Sequence, residues 1–254
     1  MSAQPRSPDD AYRGFASIYD ATMGDAAFPT VWQAFEQARR KHSISFASAC
    51  DVGCGTGMFL KQLSRERARM WGVDNSPAML RRAARRLLGT RVRLLRQDMR
   101  KLRLPEPVDL ITSNFCTLNY CENETALAAT FRSLRSNLTP GGCLIADALI
   151  DLGPLAREES MVQKVDSPAM RSRWHISLAA DGKGSVVEIH TRVRNRDGRE
   201  HEWRERHRQR WFALPLLSSL LGRSGFALMG VRRMPSDESA AQANRWVQLV
   251  ARAS

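Results

Sequence analysis

Three glycines at alternate positions, Gly53, Gly55 and Gly57, separate an apolar segment from a helical pattern that begins at Met58. Glycine has no Cβ, so such a loop can turn tightly and let its backbone approach a ligand. Asp74 follows about twenty residues later, at the end of the next predicted strand, where a carboxylate can accept the ribose hydroxyls of an adenosine. Together these residues predict a site for NAD, FAD or S-adenosylmethionine. Dinucleotide sites normally have the spacing G-x-G-x-x-G, which this loop lacks.

Strands and helices alternate along the first 150 residues and place the glycine loop and Asp74 at strand ends. Ser76 and Pro77 suit the N-cap and the first turn of a helix. Alternation with short connections predicts a parallel sheet covered by helices on both faces. The predicted strands are 44–52, 70–74, 91–96, 108–113 and 142–148, and the predicted helices are 58–65, 77–88 and 124–137.

Two regions depart from this alternation. Residues 1–10 are expected to form a frayed tail, and the aromatic residues from Tyr12 to Phe35 have the spacing of two short helices. After Ile150, a helix and a terminal hairpin are preceded by three alternating runs with Asp-Gly turns, which predict antiparallel strands over 174–178, 187–193 and 200–211. We therefore expect a tail and helical cap over 1–43 and one α/β domain over 44–254, with an insert at about 170–212.

Four segments, in order along the chain, resemble the motifs of class I S-adenosylmethionine-dependent methyltransferases. The resemblance implies S-adenosylmethionine as the cofactor and S-adenosylhomocysteine as the product. It also implies an α/β, Rossmann-like fold with a seven-stranded methyltransferase sheet, to which this chain adds an N-terminal helical cap and a three-stranded antiparallel β insert. The segments are Cys50-Asp51-Val52-Gly53-Cys54-Gly55-Thr56-Gly57, Gly72-Val73-Asp74-Asn75-Ser76, Gln97-Asp98-Met99 and Leu138-Thr139-Pro140-Gly141-Gly142.

The same resemblance implies which residues contact the cofactor. Gly53 is expected to face the methionine moiety, Asp74 the ribose and Asp98 the adenine amino group. Methionines such as Met79 and Met99, which would line the adenine slot, are also common in apolar cores, so both interpretations stay open. The expected cofactor residues are Tyr12, Tyr19, Asp51, Gly53, Cys54, Gly55, Gly57, Asp74, Asn75, Met79, Gln97, Asp98, Met99 and Asn114.

Segment 109–120 runs through the exit of the fourth predicted strand, where methyltransferases usually place substrate-facing residues. The carbonyl of Asn114 is expected to help hold the methionine ammonium. This segment does not match the Asn-Pro-Pro-Tyr motif of enzymes that methylate exocyclic nitrogens or glutamine, and Cys116 lacks the Pro-Cys setting of cytosine C5 enzymes. The chain more closely resembles small-molecule N-methyltransferases, especially amino-sugar N,N-dimethyltransferases and the glycine and sarcosine type. Cyclic amine, sugar, thiol and hydroxyl acceptors remain open.

The cofactor's sulfonium already activates the methyl group, so the protein mainly has to align the acceptor for direct displacement and exclude water. An amine must be neutral to attack, and a group that takes its proton contributes on the order of a hundredfold or more. Tyr120 and His207 are the candidate catalytic residues, and Tyr19 is expected to cap the pocket. Each can also be an ordinary hydrogen-bonded packing residue. The expected substrate contacts are Tyr19, Phe115, Asn119, Tyr120 and His207.

The formal net charge is +13, and 34 of the 39 basic residues are arginine. This charge can attract polyanions, although an arginine bias also follows from a GC-rich genome. The i, i+4 pairs of Arg81 with Arg85 and Arg82 with Arg86 predict an outward, solvated helix face. Two alternatives to small-molecule transfer stay open: an RNA or protein methyltransferase that uses the arginine surface, and a non-catalytic partner or sensor that binds S-adenosylmethionine. The insert is expected to cover the active site or to form a homodimer contact.

Several classes of protein are not expected. No apolar run approaches the roughly 20 residues of a membrane span, and the first ten residues lack a signal-peptide pattern, so we expect a cytoplasmic protein without a membrane partner. Five cysteines without a CxxC pair are expected to be reduced thiols. His201 and His207 would share a strand face about 20 Å apart, too far to bind one ion, so we expect no metal.

Overall fold

The computed structural model describes residue 12 and residues 14–152, 160–194, 197–235 and 245–254. In these residues the strands β1 to β11 are Ser48–Val52, Arg69–Asp74, Arg93–Arg96, Val108–Ser113, Leu138–Leu149, Ser160–Ser167, Met170–Leu178, Gly184–Arg194, Glu200–Arg210, Phe226–Arg233 and Trp246–Ala253. The α-helices α1 to α5 are Asp25–Lys41, Met58–Leu63, Pro77–Arg86, Glu124–Ser136 and Leu214–Arg223.

Seven of these strands form the central sheet, in the order β10-β11-β5-β4-β1-β2-β3. The pairs formed by β1 to β5 are parallel, whereas β11 pairs antiparallel with both β5 and β10. This arrangement confirms the predicted Rossmann-like seven-stranded sheet. Strand β5 begins at Leu138, before the predicted start at residue 142, and its pairing with β4 shifts register between Val108 and Leu110.

Local capping and apolar packing explain the helices and the core. The Ser76 hydroxyl accepts the backbone N–H of Met79 at 3.4 Å, and Pro77 opens α3, as the sequence predicts. One face of the sheet packs on α4 and α5, where Phe131 and Leu221 are fully buried. The other face packs on α1, α2 and α3. The parallel sheet is therefore covered on both sides, and its strand ends are held in fixed positions.

The insert is a separate antiparallel sheet in the order β6-β7-β8-β9. Its last three strands confirm the three that the sequence predicts, but the prediction missed β6. Apolar residues in β6 do not alternate, because Met161 and Val162 are adjacent, so the period-two pattern of a half-buried strand is absent. Residues 168–169 connect β6 to β7, and the two strands pair antiparallel along the whole length of β6.

The N-terminal cap differs from the two short helices that we expected. A 3-10 turn, Phe15–Ser17, and a π-helical turn, Asp20–Gly24, lead directly into the single long helix α1. The aromatic residues of the cap fall into two groups because they pack on different partners. Phe15 contacts Trp174 of the insert at 5.0 Å between ring centroids, whereas Trp32 of α1 contacts Phe59 of α2 at 5.3 Å.

Candidate cofactor and acceptor site

A cleft of about 1730 Å³ lies at the carboxyl ends of β1, β2 and β4, beneath the insert and the N-terminal turns. Small-molecule pockets are commonly about 300–1,000 Å³, so this cleft has room for a cofactor together with a second molecule. Most of the predicted site residues line its walls: Tyr12, Tyr19, Gly53, Gly55, Asp74, Asn75, Met79, Gln97, Asp98, Met99, Phe115, Asn119, Tyr120 and His207.

Four predicted cofactor residues lie elsewhere. Asp51 and Cys54 line a cavity of about 20 Å³ that shares Gly53 and Gly55 with the main cleft. Gly57 and Asn114 are outside the walls of both cavities. Asn114 is buried at the end of β4, its carbonyl accepts the Thr117 hydroxyl at 2.8 Å, and its side-chain Nδ2 has no hydrogen-bond partner among the described residues. Its expected contact with the methionine moiety stays a prediction.

The backbone of the glycine loop approaches the β4 exit closely. Gly53 has φ 74°, a left-handed backbone conformation that residues other than glycine rarely adopt. A Cβ at this position would overlap the Thr117 side chain. Glycine is therefore required at position 53 for two independent reasons. Thr117 lines the cleft and was not among the predicted site residues.

Asp74 lies at the end of β2, where its two carboxylate oxygens bind the glycine loop and the N-cap residue of α3. Oδ2 accepts the backbone N–H of Gly55 at 2.9 Å, and Oδ1 accepts that of Ser76 at 2.8 Å. Burial raises the pKa of Asp74, and the bonds from Ser76 and Gly55 oppose that shift only in part. Each oxygen keeps acceptor capacity directed at the cleft, so the residue fits a ribose diol.

Asp51 lies beneath the loop as a second buried carboxyl group. Burial raises its pKa to about 7, although the Thr112 hydroxyl, which donates to Oδ1 at 2.7 Å, counteracts this shift. Asp51 therefore joins the end of β1 to β4 and does not line the main cleft.

The predicted adenine residues also line the cleft. The Asp98 carboxylate is paired with Arg100 at 2.5 Å, and this side-chain bond is the main reason that the pKa of Asp98 is lowered. The Gln97 side-chain amide donates to the Arg103 carbonyl at 2.9 Å and accepts the Arg103 N–H at 2.7 Å. It therefore positions the segment that follows β3. Met79 is buried and also lines the cleft, which satisfies both interpretations of that residue.

In the cleft wall formed by β9 and the N-terminal turns, hydrogen bonds join Tyr12, Tyr120 and His207, and the Glu205 carboxylate lies beside the His207 ring. The hydroxyls of Tyr12 and Tyr120 are hydrogen-bonded to each other, and the Tyr120 hydroxyl lies 3.2 Å from His207 Nδ1. His207 Nε2 lies 3.3 Å from Glu205 Oε2. Burial strongly raises the pKa of Tyr120. A carboxylate beside Nε2 favours the tautomer with its proton on Nε2, which leaves Nδ1 as an acceptor for Tyr120.

Glu205 contacts these side chains but was not among the site residues predicted from the sequence. Its buried carboxylate accepts the backbone N–H groups of Tyr12 at 2.9 Å, Gly14 at 2.5 Å and Phe15 at 2.7 Å. Burial alone would raise the pKa of Glu205, but the bonds from His207, Phe15 and Gly14 outweigh it and lower the pKa. The available signal was the spacing of Glu205 and His207, which puts both on one face of β9.

The β4 exit is held in an uncommon conformation. Phe115 and Cys116 have φ values of 57° and 59°. Asp147 of β5 accepts both of their backbone N–H groups, at 2.9 Å and 2.5 Å. Burial raises the pKa of Asp147 to about 6 despite these bonds. Non-glycine residues that a buried carboxylate holds in a left-handed backbone conformation are typical of a functional loop.

Asn119, a predicted substrate contact, uses its side-chain amide to join two elements. Its Nδ2 donates to the carbonyls of Leu149 at 2.8 Å and Arg210 at 2.6 Å, and its Oδ1 accepts the N–H of Leu149 at 2.8 Å. Both amide protons are therefore used inside the protein. Its contact with a substrate stays a prediction.

The prediction of a solvated arginine face on α3 was wrong for Arg86. Its Nη2 lies 2.5 Å from Asp20 Oδ2, and its Nη1 donates to the Thr56 hydroxyl and carbonyl at 2.7 Å and 3.1 Å. Periodicity put Arg86 on the same row as Arg82, but the N-terminal cap covers that end of the helix. Arg86 thus ties the cap to the cofactor loop.

Neither a metal cluster nor a membrane span is found in the described part of the chain. These residues contain no group of three or more His, Cys, Asp or Glu side chains placed to hold an ion. None of their helices is long and apolar enough to cross a membrane. On the opposite face of β9 from His207, Glu202 pairs with His190 at 2.6 Å and with Arg192 at 2.9 Å. A homodimer contact through the insert stays a prediction.

Comparison with known proteins agrees with this geometry. Residues 49–142 match a family model described as a methyltransferase domain. A protein of Geobacillus sp. (strain WCH70) named as a methyltransferase is 25% identical over 245 residues, 95% of this chain and 99% of that protein. The dTDP-3-amino-3,4,6-trideoxy-alpha-D-glucopyranose N,N-dimethyltransferase of Streptomyces venezuelae is 28% identical over 160 residues, 57% of this chain and 67% of that enzyme.

The fold is also shared with a solved structure. The S-adenosylmethionine-dependent methyltransferase from Clostridium acetobutylicum ATCC 824 superimposes with a TM-score of 0.80 at 21% identity, over 96% of this chain and 99% of that one. The matched domain contains the glycine loop, Asp74 and Asp98. Residues 49–142 therefore carry a methyltransferase domain, and the chain resembles the class I S-adenosylmethionine-dependent methyltransferases, with an amino-sugar N,N-dimethyltransferase among its relatives.

Proposed function

We propose that this methyltransferase transfers the methyl group to a nitrogen atom of a small molecule. The observation that carries the proposal is the buried chain of Tyr120, His207 and Glu205 in the wall of the same cleft as the cofactor loop. An amine acceptor has a proton to lose before it can attack, and this chain offers a route for that proton. The amino-sugar dimethyltransferase among the relatives supports the same chemistry.

The residues present fit the cofactor. The positive-φ backbone of Gly53 and Gly55 gives close access, and Asp74 presents two acceptor oxygens in the cleft wall. Bound S-adenosylmethionine supplies an electrophilic methyl group on a sulfonium. Asp98, whose carboxylate is paired with Arg100, also lines the cleft and would meet the adenine amino group.

Tyr120 is placed to receive the acceptor's proton. Its oxygen takes the proton from the ammonium while its own proton passes to His207 Nδ1, so the hydroxyl is regenerated. The Glu205 carboxylate then lies beside the protonated imidazole and balances its charge. Such a transfer contributes roughly 10²–10⁴ in rate. Tyr12 and Tyr19, whose rings meet edge-on at 6.0 Å, close the site against water.

A screen of methyl acceptors tests the proposal. Primary and secondary amines, amino sugars, thiols, phenols and total RNA are incubated with S-adenosylmethionine, and release of S-adenosylhomocysteine is measured. Turnover should appear in an amine pool and fall about a hundredfold in Tyr120→Phe. Turnover of RNA, thiols or phenols alone would overturn it. Cofactor binding without turnover of any pool would favour the sensor alternative.

A further inference from the structure

Glu205 connects two parts of the protein that are distant in sequence. Tyr12 and Gly14 precede the 3-10 turn Phe15–Ser17, and the first N–H groups of such a turn have no partner inside it. The Glu205 carboxylate, 190 residues away from Phe15, accepts all three of these N–H groups. It therefore caps the N-terminal turn from strand β9.

The same carboxylate also faces the catalytic chain. Oε1 accepts the N–H groups of Gly14 and Phe15, while Oε2 is shared by the N–H of Tyr12 and by His207 Nε2 at 3.3 Å. One buried group thus holds the turn by hydrogen bonds and also contacts the imidazole.

The capped turn delivers a residue to that chain. The Tyr12 ring lies 4.7 Å from the His207 ring, and its hydroxyl binds that of Tyr120. A Cβ at Gly14 would lie within 2.5 Å of the Trp203 ring, so the turn fits closely against β9. If the turn left this place, Tyr12 would leave Tyr120, and one wall of the cleft would open.

We propose that Glu205 is a positioning residue that links closure of the N-terminal turn to alignment of His207. When the N-terminal turn closes, Tyr12 and an aligned His207 complete the site together. Water is then excluded during methyl transfer. The link to catalysis rests on the proposed N-methyl transfer. The two structural effects of Glu205 do not depend on it.

Glu205→Gln tests the link, because glutamine has nearly the same shape but presents an NH2 group where an oxygen accepted hydrogen bonds. The control is Glu202→Gln, which alters an exposed carboxylate on the opposite face of the same strand. Two measurements need no acceptor: amide hydrogen exchange of Gly14 and Phe15, and the tautomer of His207 from the ¹⁵N shifts of its ring, assigned with His207→Gln.

In Glu205→Gln, the two amides should exchange at least about tenfold faster, and the His207 proton should shift from Nε2 toward Nδ1. Glu202→Gln should match the wild type in both measurements, and His207→Gln should keep the slow exchange. With an acceptor in hand, kcat of Glu205→Gln should fall roughly ten- to a hundredfold, with a displaced acidic limb of the pH profile.

The proposal is overturned if Glu205→Gln resembles Glu202→Gln in either the exchange or the tautomer measurement. Should Glu205→Gln fail to fold, Glu205→Asp keeps the charge on a shorter side chain and should give intermediate exchange and tautomer shifts. Unchanged values in that variant also overturn the proposal. A failed acceptor screen would remove N-methyl transfer and leave both structural measurements to be decided separately.

Discussion

Asp74→Ala removes the carboxylate that joins the cofactor loop to the end of β2, and its contacts set the size of the effect. Two backbone N–H groups, at 2.9 Å and 2.8 Å, lose their acceptor, and the ribose hydroxyls lose theirs. Leaving such groups unpaired costs about 1–3 kcal/mol, and about 1.4 kcal/mol corresponds to tenfold in Kd. Affinity for S-adenosylmethionine should therefore fall by about fivefold to a hundredfold, measured by isothermal titration calorimetry.

Asp109→Ala is the matched control for that variant. Asp109 also accepts two backbone N–H groups, from Ala47 at 2.9 Å and Ser48 at 3.0 Å, but it lies near the opposite end of the sheet from the cleft. Its loss should lower the melting temperature and leave the Kd for S-adenosylmethionine unchanged. An unchanged Kd in Asp74→Ala, or an equal loss of affinity in both variants, would refute the assignment of Asp74.

Three other variants probe the loop, the relay and the β4 exit. Tyr120→Phe should lower kcat about a hundredfold with cofactor affinity intact, because among the described residues the lost hydroxyl bonds only Tyr12 and His207 and its loss cuts the proton path to His207; equal loss of affinity in calorimetry would contradict this. Gly53→Ala should destabilise the fold by about 1–2 kcal/mol from its positive φ alone, and adding Thr117→Ala should relieve only the extra steric part, as urea unfolding would reveal. The raised pKa of Asp147, about 6, means that the native state holds its proton more tightly than the unfolded state, so this residue's contribution to stability falls by up to about 3 kcal/mol as pH rises from about 4 to 6. Urea unfolding across that range should show a flatter pH dependence for Asp147→Asn; identical slopes would contradict it.

The cofactor half of the site could be read from the sequence because its signals are local. The glycine loop and Asp74 each follow a strand directly, so their place in the cleft is decided by a few neighbouring residues. The sheet was predictable for the same reason, since each buried strand and helix carries its own periodicity. One strand, β6, was missed because its apolar residues do not alternate.

The acceptor half could not be read in this way because it is assembled from distant segments. Glu205 binds Phe15 across 190 residues, and Asp147 binds Phe115 across 32. Periodicity indicates which face of a strand a residue occupies, but it does not indicate what meets that face. Arg86 illustrates the point, since its helix row is solvated in isolation and is covered here by the N-terminal cap.

Transfer from [methyl-¹³C]S-adenosylmethionine to the acceptor found in the amine screen tests N-methylation most directly. The ¹³C shift of the product distinguishes a methyl group on nitrogen from one on oxygen, sulfur or carbon. A label on nitrogen is expected, with about a hundredfold slower appearance in Tyr120→Phe. A label on any other atom, or transfer that is insensitive to Tyr120 and His207, would contradict it.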